Sequence, residues 1–207
     1  MYNVHIMNTQ QKTDKATLEI LQVIGNKEDI TQRHLASKLD VALGLANSYL
    51  KRCVSKGLIK VTQAPANRYL YYLTPKGFAE KSRLTGSYLR SSFNFYRDAS
   101  SSINYIYDLC ESKKLNRILF CGVSELAEIA SIRSHDYRLE IIGVYDPIAM
   151  KKNFFSTPVF NELQNTPNFD ACLITALENS QDIFISVIDK IDSEVVYTPS
   201  ILNINRN

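Results

Sequence analysis

The stretch Gly44–Val61 reads GLANSYLKRCVSKGLIKV. Ala46, Leu50, Cys53 and Gly57 recur at three and four residues, which places them on one face of a helix. Asn47, Ser48, Lys51 and Ser55 fall on the opposite face. Gly57 stops the pattern as a helix C-cap residue, and a strand-like run follows at once. The sequence therefore predicts a helix over about Leu45–Lys56, small and apolar inside, with hydrogen-bond donors outside.

Upstream, Asp14–Ile24 places Leu18, Leu21 and Val23–Ile24 at helical spacing. In Ile30–Leu39 (ITQRHLASKL), Thr31 is a helix N-cap and Ile30 can staple onto Leu35. Asp40–Gly44 (DVALG) then makes a tight turn into the helix quoted above. Two short helices joined by a tight turn, the second exposing donors, form a helix-turn-helix. Those donors suit base edges and phosphates. Downstream, Leu58–Gln63 and Arg68–Thr74 alternate like strands around APAN, a hairpin with Pro65 and Asn67 near its tip. A hairpin directly after such a helix is a wing, and Arg68 at its base is in place for an adjacent minor groove. The expected DNA contacts are Asn47, Ser48 and Lys51, with Arg33 and Lys60 on phosphates. A helical bundle with an ordinary hairpin and solvated basic side chains is the alternative.

Charge agrees with a polyanion facing the first half. Residues 1–92 hold 14 Lys/Arg and 6 Asp/Glu, a balance of +8, whereas residues 93–207 hold 10 and 15, a balance of −5. A basic half joined to an acidic half suggests two domains within the 207 residues. No apolar run is long enough to span a bilayer, and MYNVHIMNTQ lacks the features of a signal peptide. The expected location is the cytoplasm. The four cysteines form no Cys-x-x-Cys pair and only three histidines exist, so buried reduced thiols are expected and no metal site.

Asp14–Arg90 resembles the MarR-type winged-helix regulators, and among them the subgroup associated with exopolysaccharide gene clusters. The resemblance rests on GLANSYLKRCVSKGLIKV, on RYLYYLTPKGFAEKSRLT and on the helix after Pro75. It implies that the helix beginning GLANSYLK lies in the major groove, that Asn47, Ser48 and Lys51 read or clamp DNA, and that Arg68 serves the wing. The family's wing has a longer charged tip than APANR.

After Pro75, a helix N1 residue, Phe78, Leu84, Tyr88–Leu89, Phe93, Tyr96, Ile103, Ile106 and Leu109–Cys110 recur at helical spacing. This reads as one long helix, or two joined near Gly86 or Ser100–Ser102. Such a stripe needs a cover, and a second copy of the chain is the expected one. The alternative is that it folds back on the second half. A homodimer would match a palindromic operator.

From Leu115 the pattern becomes α/β. Strands are expected at RILFCG, LEIIGVYDP, TPVF, DACLITAL and EVVYTPS, with helices at SELAEIASIR and SQDIFISVIDKI. Alternation of this kind gives a small Rossmann-like domain with a parallel sheet. Its first loop, Phe120–Ala130 (FCGVSELAEIA), sits where G-x-G-x-x-G binds a pyrophosphate. Gly122 supplies the first glycine, Ser124 replaces the second and Ala127 the third. Ser124 can cap the helix, Glu125 places negative charge beside any phosphate, and Asp146 stands where a ribose-binding acid is expected. Asn116–Asp170 resembles the small Rossmann-like domains of sugar-modifying enzymes, including the N-terminal domain of bacterial sugar acetyltransferases. That resemblance implies a nucleotide sugar held by Gly122, Ser124, Glu125 and Asp146. The redox-sensing Rex repressors also join a winged helix to a Rossmann domain but keep a fuller glycine loop, so NAD(H) ranks below a nucleotide sugar. An empty Rossmann-like dimerisation module is the other reading. His135 stands alone, and Ser124 has no histidine near it in sequence, so no catalytic set is visible and no enzyme is expected.

The expected architecture is an α+β winged helix-turn-helix domain over 1–75, a helical connector over 76–113 and a C-terminal Rossmann-like domain over 114–207. The expected function is homodimeric transcriptional regulation, on double-stranded DNA and under a nucleotide-type effector, with polysaccharide genes as candidate targets. A sugar-nucleotide-processing enzyme or accessory subunit, its winged helix binding protein, is the second reading.

Overall fold

The computed structural model describes residues 9–26, 30–64 and 68–206. They fall into two compact units that divide between Phe93 and Asn94.

In the first unit, α1 (Thr9–Asn26), α2 (Gln32–Lys38) and α3 (Leu43–Ser55) precede a hairpin of β1 (Ile59–Ala64) and β2 (Arg68–Leu73). The Thr31 hydroxyl accepts the His34 N–H at 3.1 Å and so caps α2, while Ile30 and Leu35 on either side of the cap are both buried. Asp40 turns the chain in a left-handed conformation, φ 49°, and Val41 N–H bonds Ala36 O. Small residues then let α3 approach. Ala46, Leu50 and Cys53 are its buried face, against Ile20, Leu21 and Ile24 of α1 and Leu35 of α2. α3 begins at Leu43, two residues before the sequence pattern placed it.

β1 and β2 pair antiparallel in register from Ile59↔Leu73 to Ala64↔Arg68. Thr74 closes the motif: its hydroxyl donates to Gly57 O at 2.7 Å and accepts the Gly77 N–H at 3.0 Å, capping the helix that starts at Pro75. The tip, Pro65–Asn67, lies outside the described residues, as does the side chain of Arg68. The first unit is a winged helix-turn-helix.

That next helix, α4 (Pro75–Ser112), runs 38 residues without a break at Gly86 or at Ser100–Ser102. Its residues to Phe93 belong to the first unit and those from Asn94 to the second.

The second unit continues with β3 (Arg117–Cys121), α5 (Glu125–Ser134), β4 (Glu140–Tyr145), β5 (Asn153–Phe154), β6 (Thr157–Phe160), β7 (Ala171–Ile174), α6 (Ser180–Ile188) and β8 (Val196–Tyr197). The strand order is β5-β6-β4-β3-β7-β8, parallel throughout except for β5 against β6. β3 and β7 are apolar on both faces because both faces are covered. On one face Ile118, Phe120, Val144 and Leu173 meet Ile103, Tyr107 and Cys110 of α4 and Leu126 and Ala130 of α5. On the other, Leu119, Ile142, Cys172 and Ile174 meet Phe184 and Val187 of α6. The sequence pattern had no place for β5, which is two residues long. The last strand is shorter than EVVYTPS suggested, because Ser193–Val195 forms a 3-10 turn ahead of β8.

Candidate nucleic-acid interface

α3 presents its outer face to solvent for its whole length. Ser48, Lys51, Arg52 and Ser55 are exposed, and Arg33 on α2 and Lys60 on β1 are exposed beside it in the motif. No acidic side chain among the described residues pairs with Arg33, Lys51, Arg52 or Lys60. These cations are therefore uncommitted, as phosphate contacts require. Ser48 Oγ donates to Gly44 O at 2.9 Å, which directs its lone pairs away from the helix.

Asn47 sits differently from its expected outward position. It is half-buried, and its Oδ1 is enclosed without a hydrogen-bond partner. A bidentate contact to adenine needs both ends of the amide at the surface, so Asn47 does not present one in this geometry. Arg52 was not among the expected contacts. It lies four residues after Ser48 on the same side of the helix, a spacing that would have found it.

The second unit has a cleft of 360 Å³ at the carboxyl ends of β3, β4 and β7, where the order of the sheet reverses. Ser124, Glu125 and Asp146 line it together with Ile148, Ala176 and Glu178. Gly122 lies behind this lining. Its φ is +107°, and a Cβ there would stand 2.4 Å from the Ala176 Cβ and 2.5 Å from its backbone N. The glycine is needed because the loop after β7 packs on it. Thr175 N–H and Ala176 N–H both donate to Cys121 O, and Thr175 Oγ1 donates to Gly122 O at 2.6 Å.

In the loop after β3 and the first turn of α5, the N–H groups of Gly122, Val123, Leu126 and Ala127 are taken. Ser124 Oγ accepts Leu126 N–H at 3.0 Å and Ala127 N–H at 3.4 Å, and its own proton goes to Thr175 O. Asp146 Oδ2 accepts Val123 N–H at 2.9 Å, and its Oδ1 accepts Ile148 N–H and Ala149 N–H at 3.1 Å each. The lining adds the carboxylates of Glu125 and Glu178 and contains no Lys or Arg. A pyrophosphate needs free N–H donors and a positive field. The residues present do not fit one, whether it comes from a nucleotide sugar or from NAD(H). Cys121, next to the loop, is fully buried, and burial pushes its thiol well above the usual range, so it stays protonated.

Residues 13–60 match the family model described as winged helix-turn-helix DNA-binding. No curated protein matches the chain. Similar solved structures include a MarR family protein of Mycobacterium tuberculosis in complex with p-aminosalicylic acid, at 15% identity over 36% of this chain and 65% of that one, TM-score 0.32. MepR, a transcription regulator of the Staphylococcus aureus multidrug efflux pump MepA, is similar at 18% identity over 50% of this chain and 75% of its own, TM-score 0.37. Streptococcus pneumoniae FabT in complex with DNA is similar at 21% identity over 46% and 74%, TM-score 0.32. The chain spans just under two thirds of the length of the Mycobacterium protein. No described helix is long and apolar enough to cross a membrane.

Proposed function

We propose that the chain is a DNA-binding transcriptional regulator of MarR type, acting as a homodimer on a palindromic operator. The observation that carries this reading is the uncommitted cationic face of α3 within a winged helix-turn-helix. In the proposed complex α3 enters the major groove, with Ser48 at base edges. Lys51, Arg52, Arg33 and Lys60 contact phosphates, and Arg68 serves the wing. The exposed apolar residues Phe78, Tyr88, Leu89 and Phe93 on α4 supply the dimer contact. The exopolysaccharide association is supported by the sequence resemblance alone.

The second unit is proposed as a Rossmann-like module. Its order β6-β4-β3-β7-β8 is the doubly wound order 3-2-1-4-5. With the donors of its first loop occupied from within and carboxylates lining the cleft, it serves assembly or takes an uncharged ligand. This also argues against the reading as a sugar-nucleotide enzyme.

The test is binding of the full chain to duplex DNA from its own upstream region, measured by fluorescence anisotropy across salt. Phosphate contacts release counterions, so affinity should fall by orders of magnitude between about 50 and about 200 mM salt. Salt-independent binding, or none, would sink the reading.

A further inference from the structure

The first turn of α3 is built unlike the rest of its outer face. Leu43 and Leu45 are large aliphatic residues, yet they are 44% and 46% exposed. Between them stands Gly44, at which an added Cβ would meet nothing within 4 Å. Its φ is not in the left-handed region, so neither backbone conformation nor packing within the unit calls for glycine there. A glycine in a helix interior costs about 0.5–1 kcal/mol against alanine, and less in the first turn, where Gly44 stands. What it leaves is bare helix backbone, flanked by two leucines and followed along the same side by Ser48, Lys51 and Arg52. The face thus changes along its length from apolar, to hydroxyl, to cationic.

That gradient fits one polyanion in one pose. Recognition helices meet base edges with their N-terminal residues. In the major groove only thymine offers a methyl group, and an aliphatic side chain reads it by contact. We infer that Leu45 reads thymine 5-methyl groups, and that Gly44 is where the helix backbone approaches the bases most closely. Leu45, Ser48 and Arg52 lie at i, i+3 and i+7, so apolar readout, hydroxyl contact and phosphate clamp follow one another along the groove. The inference rests on the DNA-binding reading above and adds the base it selects.

The experiment starts by selecting duplexes from a randomised library with the full-length protein. The selected duplex is then made with thymine or with deoxyuridine, which differ only by the methyl group. Deoxyuridine should weaken binding by roughly fourfold per contacted methyl. Leu45→Ala should bind the two duplexes equally. Gly44→Ala should lose affinity for the selected duplex while its melting temperature holds or rises, which separates close approach from folding. Equal binding of both duplexes by the wild-type chain, or a deoxyuridine effect that persists in Leu45→Ala, would overturn the inference and leave DNA binding intact. Selection of no duplex at all would overturn both.

Discussion

The carboxylate of Asp146 accepts the backbone N–H of Val123 at 2.9 Å, across the gap between the ends of β4 and β3. This bond puts an acid at the position of a ribose ligand to work inside the protein. The same carboxylate holds Ile148 and Ala149 N–H, so one side chain ties the loop after β3 to the loop after β4.

Asp146→Ala should therefore act on stability and not on ligand affinity. It strips a charged acceptor from three backbone donors, and hydrogen bonds to charged groups contribute about 1.5–3 kcal/mol each, less where water can replace them. A loss of about 2–4 kcal/mol in the second unit is expected, with faster amide exchange at Val123, Ile148 and Ala149. Exchange followed by NMR checks it, and unchanged protection at Val123 would show that the bond carries no weight. Asp146→Asn should lie between, because it keeps an oxygen but turns an N–H toward one donor.

Gly122→Ala tests why the loop keeps its glycine. If an external ligand required the residue, the substitution would leave the free protein intact. The geometry says otherwise: the new Cβ would lie 2.4 Å from the Ala176 Cβ, on a backbone at φ +107°. Steric overlap and left-handed strain together should cost about 3 kcal/mol or more. A urea melt of the full chain that shows no loss would refute this account.

The sequence made the winged motif legible because its signals are local. Thr31 as a cap, Gly57 as a stop and the alternation of Tyr69–Leu73 each act within a few residues, and the structure places all of them where such signals belong. Partnership across the sheet was not legible. That Ser124 spends its proton on Thr175, and Asp146 its oxygens on Val123 and Ile148, depends on strands brought together by topology. The same residues read in sequence as phosphate and ribose ligands. The half-buried setting of Asn47 was hidden for a subtler reason. Helical spacing fixes where a Cα points, but not whether a neighbour shields the amide oxygen.

On α4, Leu89 and Phe93 are 47% and 59% exposed and lie one turn apart. Glutamate at both positions would put two charges into the proposed contact between copies, where a desolvated, unpaired carboxylate is costly. The double variant should sediment as a monomer with an unchanged melting profile at low concentration, while the wild type sediments as a dimer. A monomeric wild type at micromolar concentration would remove the basis of the dimer.

Lys51 and Arg52 are adjacent on α3, exposed and without acidic partners among the described residues, so both should count in the salt dependence of DNA binding. Taking one cation away from a phosphate should reduce the slope of log affinity against log salt by about 0.9, uniformly across DNA sequences. Each substitution occurs twice in a dimer on a palindrome, so Lys51→Ala and Arg52→Ala should each reduce the slope by about 1.8, and the double variant by about twice as much. Ser48→Ala should behave in the opposite way, keeping the slope but relaxing discrimination between duplexes, since hydroxyl contacts to base edges carry sequence information and little charge. Both kinds of change can be read from the same anisotropy titrations, repeated at several salt concentrations on a selected and a scrambled duplex. If Lys51→Ala and Arg52→Ala leave the slope untouched, the face of α3 does not meet phosphate, and the docking pose proposed for the winged helix is wrong.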